Sequence, residues 1–428
     1  MSDGHVPNNY DDFLLKLKMF FTDFDNSVLA GQLSGRRFSV VYKLSTDDKA
    51  EALRLADDIC AEQTVEFPVR LLPDGVIPER VVGRIERFET GRERASSPAS
   101  VGVGASDVRV GVVELCFFVT ISYAEELAAS ELTQFLNVIL GNISMKQKIQ
   151  VISITPSEGI FEILRGAKFG VSGIRGLLGV PVRPLLFTAL KPMGLSADNL
   201  ANLASLFTEG GIDIIKDDHG LSNQSFAPFK DRVIKCAAAV REANAKFNRN
   251  SIYVPNITAP SNQIIERAYF AKERGAGGVM ISPGLAGLDV MRQLAGELGL
   301  PIFAHPAFIG GMVMNHGGVS QGLTYGVLLG TIMRLAGADA TIFPNYGGRF
   351  PLTQEDCTDI VTKCREPLNN IPQIFPSPAG GMELKNIKTI LQNYGKDTLM
   401  LVGSGLFSQS NNIIANCKKF REEAESEI

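Results

Sequence analysis

From about Val182 onward, short apolar runs alternate with longer stretches of helical periodicity. The apolar runs are LLFTAL (185–190), IDIIK (212–216), IYVPN (252–256), GVMIS (278–282), IFAH (302–305), TIFP (341–344), QIFP (373–376) and LMLV (399–402). Short, continuous and rich in branched or aromatic residues, they read as strands covered on both faces. Between them lie amphipathic segments such as ADNLANLASLFTE, NQIIERAYFAKER and MELKNIKTILQNY. Several of these should stop at a glycine C-cap: Gly210, Gly275, Gly299, Gly337 and Gly395. Eight strand–helix units over roughly 250 residues predict an α/β fold, a C-terminal (β/α)8 TIM barrel.

The first part of the chain has a different rhythm. RRFSVVYKL and VRVGVVELCFFVTI read as strands, and DDKAEALRLADDICAE and EELAASELTQFLNVIL as amphipathic helices. They predict a small α+β domain of ferredoxin-like type over residues 1–150, ahead of a barrel domain over 151–428. GRERASSPASVGVGASD (91–107) is dominated by small residues and is expected to be a surface loop.

Composition removes several function classes. A net charge of −4 without a lysine- or arginine-rich run argues against a nucleic-acid or membrane-surface partner. The most apolar run, VGVVELCFFVTISYA, is shorter than the roughly 18 residues a span needs, and it carries Glu114. The opening MSDGHVPNNYDDF is polar and acidic, unlike a signal peptide, so a cytoplasmic protein is expected. The six cysteines form no CxxC pair and are expected to be free, buried thiols.

Active sites in such barrels sit at the C-terminal strand ends, and titratable residues cluster there. Lys191 follows the first strand; Lys216, Asp218 and His219 follow the second; Asn256 ends the third and His305 the fifth. NYGGRF (345–350) follows the sixth and carries Arg349, on a glycine-hinged loop that could close over an anion. PSPAGGM (376–382) and VGSGLFS (402–408) follow the seventh and eighth, where barrels commonly hold a phosphate on backbone N–H groups. In GGIDIIKDDHG (210–220) two acids and a histidine could ligate a divalent metal, but a lysine ammonium has no lone pair to offer. A neutral lysine can add carbon dioxide and become a carbamate, an oxygen donor suited to magnesium. Alternatively Lys216 stays an ammonium, paired with Asp217 or Asp218, and no metal binds.

GGIDIIKDDH resembles the carbamylated-lysine motif of ribulose-bisphosphate carboxylase, and more closely that of the form IV RuBisCO-like proteins. FGVSGIRGLLGVPVRPLLFTALKPMGLS is similar to the family's approach to its first barrel strand, which implies that Lys191 is the catalytic lysine. LGNI (140–143) looks like the segment whose asparagine, here Asn142, reaches a neighbouring subunit's site, and Glu62 resembles a glutamate that does the same. His305 matches a strand-five histidine. Gly380 and Gly381 match the seventh-strand phosphate loop, and Gly403, Ser404 and Gly405 the eighth. Arg349 falls where the carboxylases carry a mobile lysine. The resemblance implies Mg2+ held by carbamylated Lys216 and Asp218, with His219 at the third ligand's position, where the donor becomes a nitrogen or is lost, and a homodimer with shared sites.

The departures carry as much information. His219 replaces a metal-binding glutamate, Pro306 an arginine and Ile342 a histidine that grip a second phosphate; Met193 falls where a second lysine is expected, in a loop one residue shorter. A bisphosphate carboxylase is therefore not expected. The resemblance implies enolisation of a phosphorylated keto compound. The leading reading is C–C cleavage (decarboxylation, transcarboxylation or hydrolysis) of a keto sugar acid such as 3-oxo-isoapionate 4-phosphate in apiose catabolism. The alternatives are a methionine-salvage enolase or isomerase acting on a methylthio-sugar phosphate, and a catalytically idle sugar-phosphate-binding barrel.

Overall fold

The computed structural model describes residues 26–94, 113–316 and 319–426, with strands numbered β1 to β14 in chain order. Two compact units divide the chain: Met1–Ile163 with Met314–Leu323, and Leu164–Val313 with Thr324–Ile428. The opening 1–13 and most of the expected loop at 91–107 lie outside the described residues.

The first unit is built on β1 (Arg37–Leu44), β2 (Arg84–Arg94), β3 (Val113–Ala124) and β4 (Ile149–Thr155), joined by β10 (Val313–His316) and β11 (Val319–Leu323). Their order is β10-β11-β4-β1-β3-β2, with β1 antiparallel to both β3 and β4. In β1 the period of two is plain: Phe38, Val40, Tyr42 and Leu44 are buried. The helix Lys49–Glu62 buries Ala52, Ala56, Ile59 and Cys60, one stripe at helical spacing. Two expectations need correction. Gly91–Arg94 is not loop but the end of β2, where Gly91 lacks the Cβ that the Phe118 ring would otherwise meet. The expected helix 125–140 is split into a 3-10 turn, Glu125–Ala128, and a helix, Leu132–Leu140, because Ala129 and Ser130 take left-handed conformations between them. β4, which straddles residue 150, pairs with β1.

The second unit is the expected barrel. Its parallel strands are β5 (Leu185–Leu190), β6 (Ile214–Asp217), β7 (Ile252–Val254), β8 (Val279–Ile281), β9 (Ile302–Ala304), β12 (Ala340–Pro344), β13 (Phe375–Ala379) and β14 (Leu399–Val402), in the order β7-β6-β5-β14-β13-β12-β9-β8. A bridge between Asn256 and Met280 closes the ring. Leu185, Phe187, Ile214, Val254, Met280, Phe303, Ile342 and Leu401 fill the interior, so the barrel is a packed core. β13 begins later than QIFP suggests and runs through Pro376 and Pro378; lacking those two N–H groups, it meets β14 only at Ala379–Leu401. Left-handed glycines follow the helices at Gly275, Gly299, Gly337 and Gly395; the helix Ala197–Glu209 has Gly210 as its C-cap, still right-handed, and Gly211 takes the left-handed turn.

Buried carboxylates at the strand starts brace the barrel from the end opposite the expected site. Asp213 receives Arg183 at 2.7 and 2.6 Å and the Leu186 N–H at 2.8 Å. Asp339 accepts the N–H groups of Lys168, Phe169, Gly170 and Ile302. All six cysteines are free and buried. Burial pushes the Cys60, Cys364 and Cys417 thiols up to about 12, which suits packing rather than nucleophilic chemistry.

Candidate active site

Strand alternation sorts the run of charges at the end of β6. Ile214 points into the barrel core, so Lys216 and Asp218, two and four residues on, share its side and Asp217 faces the helix layer. Asp217 is fully buried there. It accepts from Arg232 Nε at 3.0 Å, from the Tyr253 hydroxyl at 2.7 Å and from the Asn256 N–H at 3.0 Å. Arg232, itself fully buried on the helix Phe229–Phe247, also donates to the carbonyls of Ala227 and Ser222. The Asn256 amide donates to the carbonyls of His219 and Leu221. Together these bonds fasten the loop after β6 from behind. Arg232 and Tyr253 carried no motif; only the out-facing position of Asp217 in its strand points to them.

On the inner side, Lys216 is 2 % exposed and donates to the Asp217 carbonyl oxygen at 3.0 Å. It makes no ion pair with either carboxylate side chain, so the ammonium pairing open to the sequence is not the one formed. Burial, above all, lowers its basicity to about 8; Asp218 opposes this and Lys191 adds to it. The ion pair at the barrel mouth is instead Lys191 Nζ with Asp218 Oδ1, at 2.7 Å. Burial acts to raise the Asp218 carboxyl, but hydrogen bonds from His219 and Lys191 and the charge of Lys216 outweigh it and hold it well below the usual carboxylate range. His219 Nδ1 lies 3.5 Å from the same oxygen. The His219 and His305 rings stack at 4.4 Å and 11°. Burial first, then Lys216 and His219, hold His305 far below its ordinary value, so its imidazole is neutral. Lys191, Lys216, Asp218, His219 and His305 thus form one connected cluster.

The glycine loops flank different surroundings. Gly380 and Gly381 have φ of 85° and 67°, with nothing within 4 Å of an added Cβ, and Gly403 is equally open. Among the described residues no hydrogen bond ties down their N–H groups. Gly405 is buried, with the Met382 carbonyl oxygen 2.2 Å from where its Cβ would stand, so it lets the two loops lie against each other. Ser404 is exposed. Arg349 is exposed on the loop after β12, its guanidinium 5.1 Å from the Phe350 ring centroid, without a bond to the cluster among the described residues. In the first unit Asn142 Nδ2 donates to Glu62 Oε1 at 3.0 Å. Gln63 brings them together: its amide donates to the carbonyls of Asn137 and Val138, and its oxygen accepts the Ile143 N–H.

Among the described residues no three His, Cys, Asp or Glu side chains stand placed to hold a metal. Asp218 and His219 supply two donors, and the set is completed only if Lys216 becomes a carbamate. A buried lysine with lowered basicity beside them fits that requirement.

A closed parallel barrel with titratable residues gathered at its C-terminal strand ends defines the class, a (β/α)8 barrel with the site geometry of an enzyme. The catalytic-domain model of the ribulose bisphosphate carboxylase large chain matches residues 170–427, and the chain belongs to that family. It is 33 % identical over 391 residues to ribulose bisphosphate carboxylase-like protein 1 of Rhodopseudomonas palustris, covering 91 % of this chain and 98 % of the relative. It is 29 % identical over 367 residues to the 5-methylthioribulose-1-phosphate isomerase of Rhodospirillum rubrum, covering 85 % and 90 %. The crystal structure of a Rubisco-like protein from Rhodopseudomonas palustris superimposes with a TM-score of 0.75 at 30 % identity, covering 91 % of this chain and 98 % of that one.

Proposed function

We propose that this chain enolises a singly phosphorylated ketose, with a methylthio-substituted pentulose phosphate as its substrate, in the manner of an isomerase or enolase. The observation that carries the reading is Lys216: a buried lysine of lowered basicity, bracketed by the Lys191–Asp218 pair and the neutral His305. The relative that acts on 5-methylthioribulose 1-phosphate, matched over 90 % of its length, favours this substrate class.

Carbamylated Lys216, Asp218 and His219 would hold Mg2+. When bound, the ion polarises the substrate carbonyl and its neighbouring hydroxyl as a Lewis acid. The chain's own residues do the rest. The open N–H groups at Gly380, Gly381 and Gly403 receive the phosphate. Lys191 sits at the mouth on the Asp218 carboxylate, placed to move a proton at the substrate's reacting carbons, and a carbamate on Lys216 would offer a second base for the same transfer. Pro306 and Ile342 offer a second phosphate neither charge nor a side-chain donor. That loss is worth roughly 1.5–3 kcal/mol, about ten- to a hundred-fold in affinity.

Arg349 favours a second reading, in which the substrate carries a carboxylate and a C–C bond is cleaved, as for a keto sugar acid phosphate. An exposed arginine on a glycine-bearing loop could meet such a group.

The experiment incubates the protein with bicarbonate and Mg2+ in deuterium oxide, offering 5-methylthioribulose 1-phosphate, 3-oxo-isoapionate 4-phosphate and ribulose 1,5-bisphosphate in turn. Deuterium incorporation or isomerisation of the first supports the leading reading. Turnover of the second alone supports C–C cleavage. Binding without exchange for all three would leave an idle sugar-phosphate-binding barrel, and carboxylation of the bisphosphate would overturn both enzymatic readings.

A further inference from the structure

The segment His305-Pro306-Ala307-Phe308-Ile309 leaves the barrel in a turn with an unusual feature. The His305 N–H makes a ladder bond to the Ile281 carbonyl at 2.9 Å, and Pro306, having no N–H, ends the ladder. The chain then reverses: the Ile309 N–H donates to the Pro306 carbonyl at 3.4 Å, with Phe308 left-handed at φ 70°. This reversal turns the Ala307 N–H back onto the histidine two residues earlier, where it donates to Nδ1 at 3.2 Å. A ring nitrogen that accepts a hydrogen bond carries no proton, so a neutral imidazole must hold its proton on Nε2. The His219 ring stacked at 4.4 Å covers one face of the imidazole and resists its rotation. Nε2 has no hydrogen-bond partner among the described residues, and His305 follows Phe303 on the inward side of β9.

We infer that the Pro306–Ala307 turn is a positioning device that locks His305 as the Nε2–H tautomer, so that His305 serves the reaction as a hydrogen-bond donor to a substrate oxygen and not as the base. The donor role rests on the enolising function proposed above; the tautomer does not. A fixed N–H aimed at the oxygen on which charge develops stabilises the transition state without reorganisation. Proton removal then falls to the lysines.

The first measurement is 15N NMR of the full chain at neutral pH, with His305 assigned by comparison with a His305→Gln sample; the chain holds only four histidines. A neutral ring with its proton on Nε2 is expected, and a proton on Nδ1 overturns the lock whether or not any substrate is turned over. The second compares two variants on a substrate that shows exchange. His305→Gln keeps a donor near the Nε2 position and should retain kcat within about tenfold, whereas His305→Asn, too short to reach, should lose about 100- to 1000-fold with KM little changed. Equal losses in both variants would overturn the donor role. Absence of exchange with every substrate would count against the proposed function and the donor role together, with the NMR result still deciding the tautomer.

Discussion

The Lys191 ammonium stands 2.7 Å from Asp218 Oδ1, so the cation that balances this carboxylate comes from the end of β5 and not from the neighbouring Lys216. Lys216 is left buried, bonded only to a backbone carbonyl oxygen, where losing its proton costs less than it would in water.

Carbamate formation should therefore rise with pH. Carbon dioxide adds to the neutral amine, and with the group titrating near 8 the neutral fraction grows about tenfold from pH 6 to pH 7 and levels off above about 9. With 13C-bicarbonate and Mg2+, a carbamate carbon signal should follow that curve and vanish in Lys216→Ala. A pH-independent signal, or full activity of Lys216→Ala, would refute the assignment.

Behind the site, Asp217 and Arg232 form a fully buried pair. Asp217→Ala should destabilise the protein by about 3–5 kcal/mol in urea unfolding, because it strands a buried guanidinium. Adding Arg232→Met should recover part of that loss, giving a coupling of about 1–3 kcal/mol. Additive losses would place Asp217 outside this network.

The two glycines of the eighth-strand loop should separate binding from folding. Gly403 has open space around it, so Gly403→Ala should leave stability within about 0.5 kcal/mol yet weaken protection by inorganic phosphate in a thermal-shift titration. Gly405→Ala meets the Met382 carbonyl and should cost about 1–3 kcal/mol without phosphate. Phosphate protection unchanged in Gly403→Ala would remove this loop from the binding site.

Assembly offers a further test, since Glu62 and Asn142 are proposed to complete the site of a second chain in a homodimer. Lys216→Ala and Asn142→Ala should each be inactive alone, and a mixture of the two should regain about a quarter of wild-type activity if subunits pair at random. Sedimentation at the assay concentration should show a dimer; active monomers would end the proposal.

Periodicity alone determined the barrel, since continuous apolar runs and amphipathic segments are local consequences of which faces a strand or helix buries. It also placed Lys191, Lys216, Asp218 and His305 at strand ends, because strand and loop boundaries lie close together in sequence. Three strands of the first unit, β2, β10 and β11, carried no such legible pattern: the charged run of β2 and the short segments of β10 and β11 become strands through the neighbours they pair with. The assignment of partners was decided by tertiary structure. Lys216 could have met either neighbouring acid. Asp217 instead finds Arg232, 15 residues away, and Tyr253, 36 away, while Asn142 finds Glu62 across 80. The two-residue alternation of a strand sends adjacent side chains to opposite faces, and only the folded chain shows what waits on each.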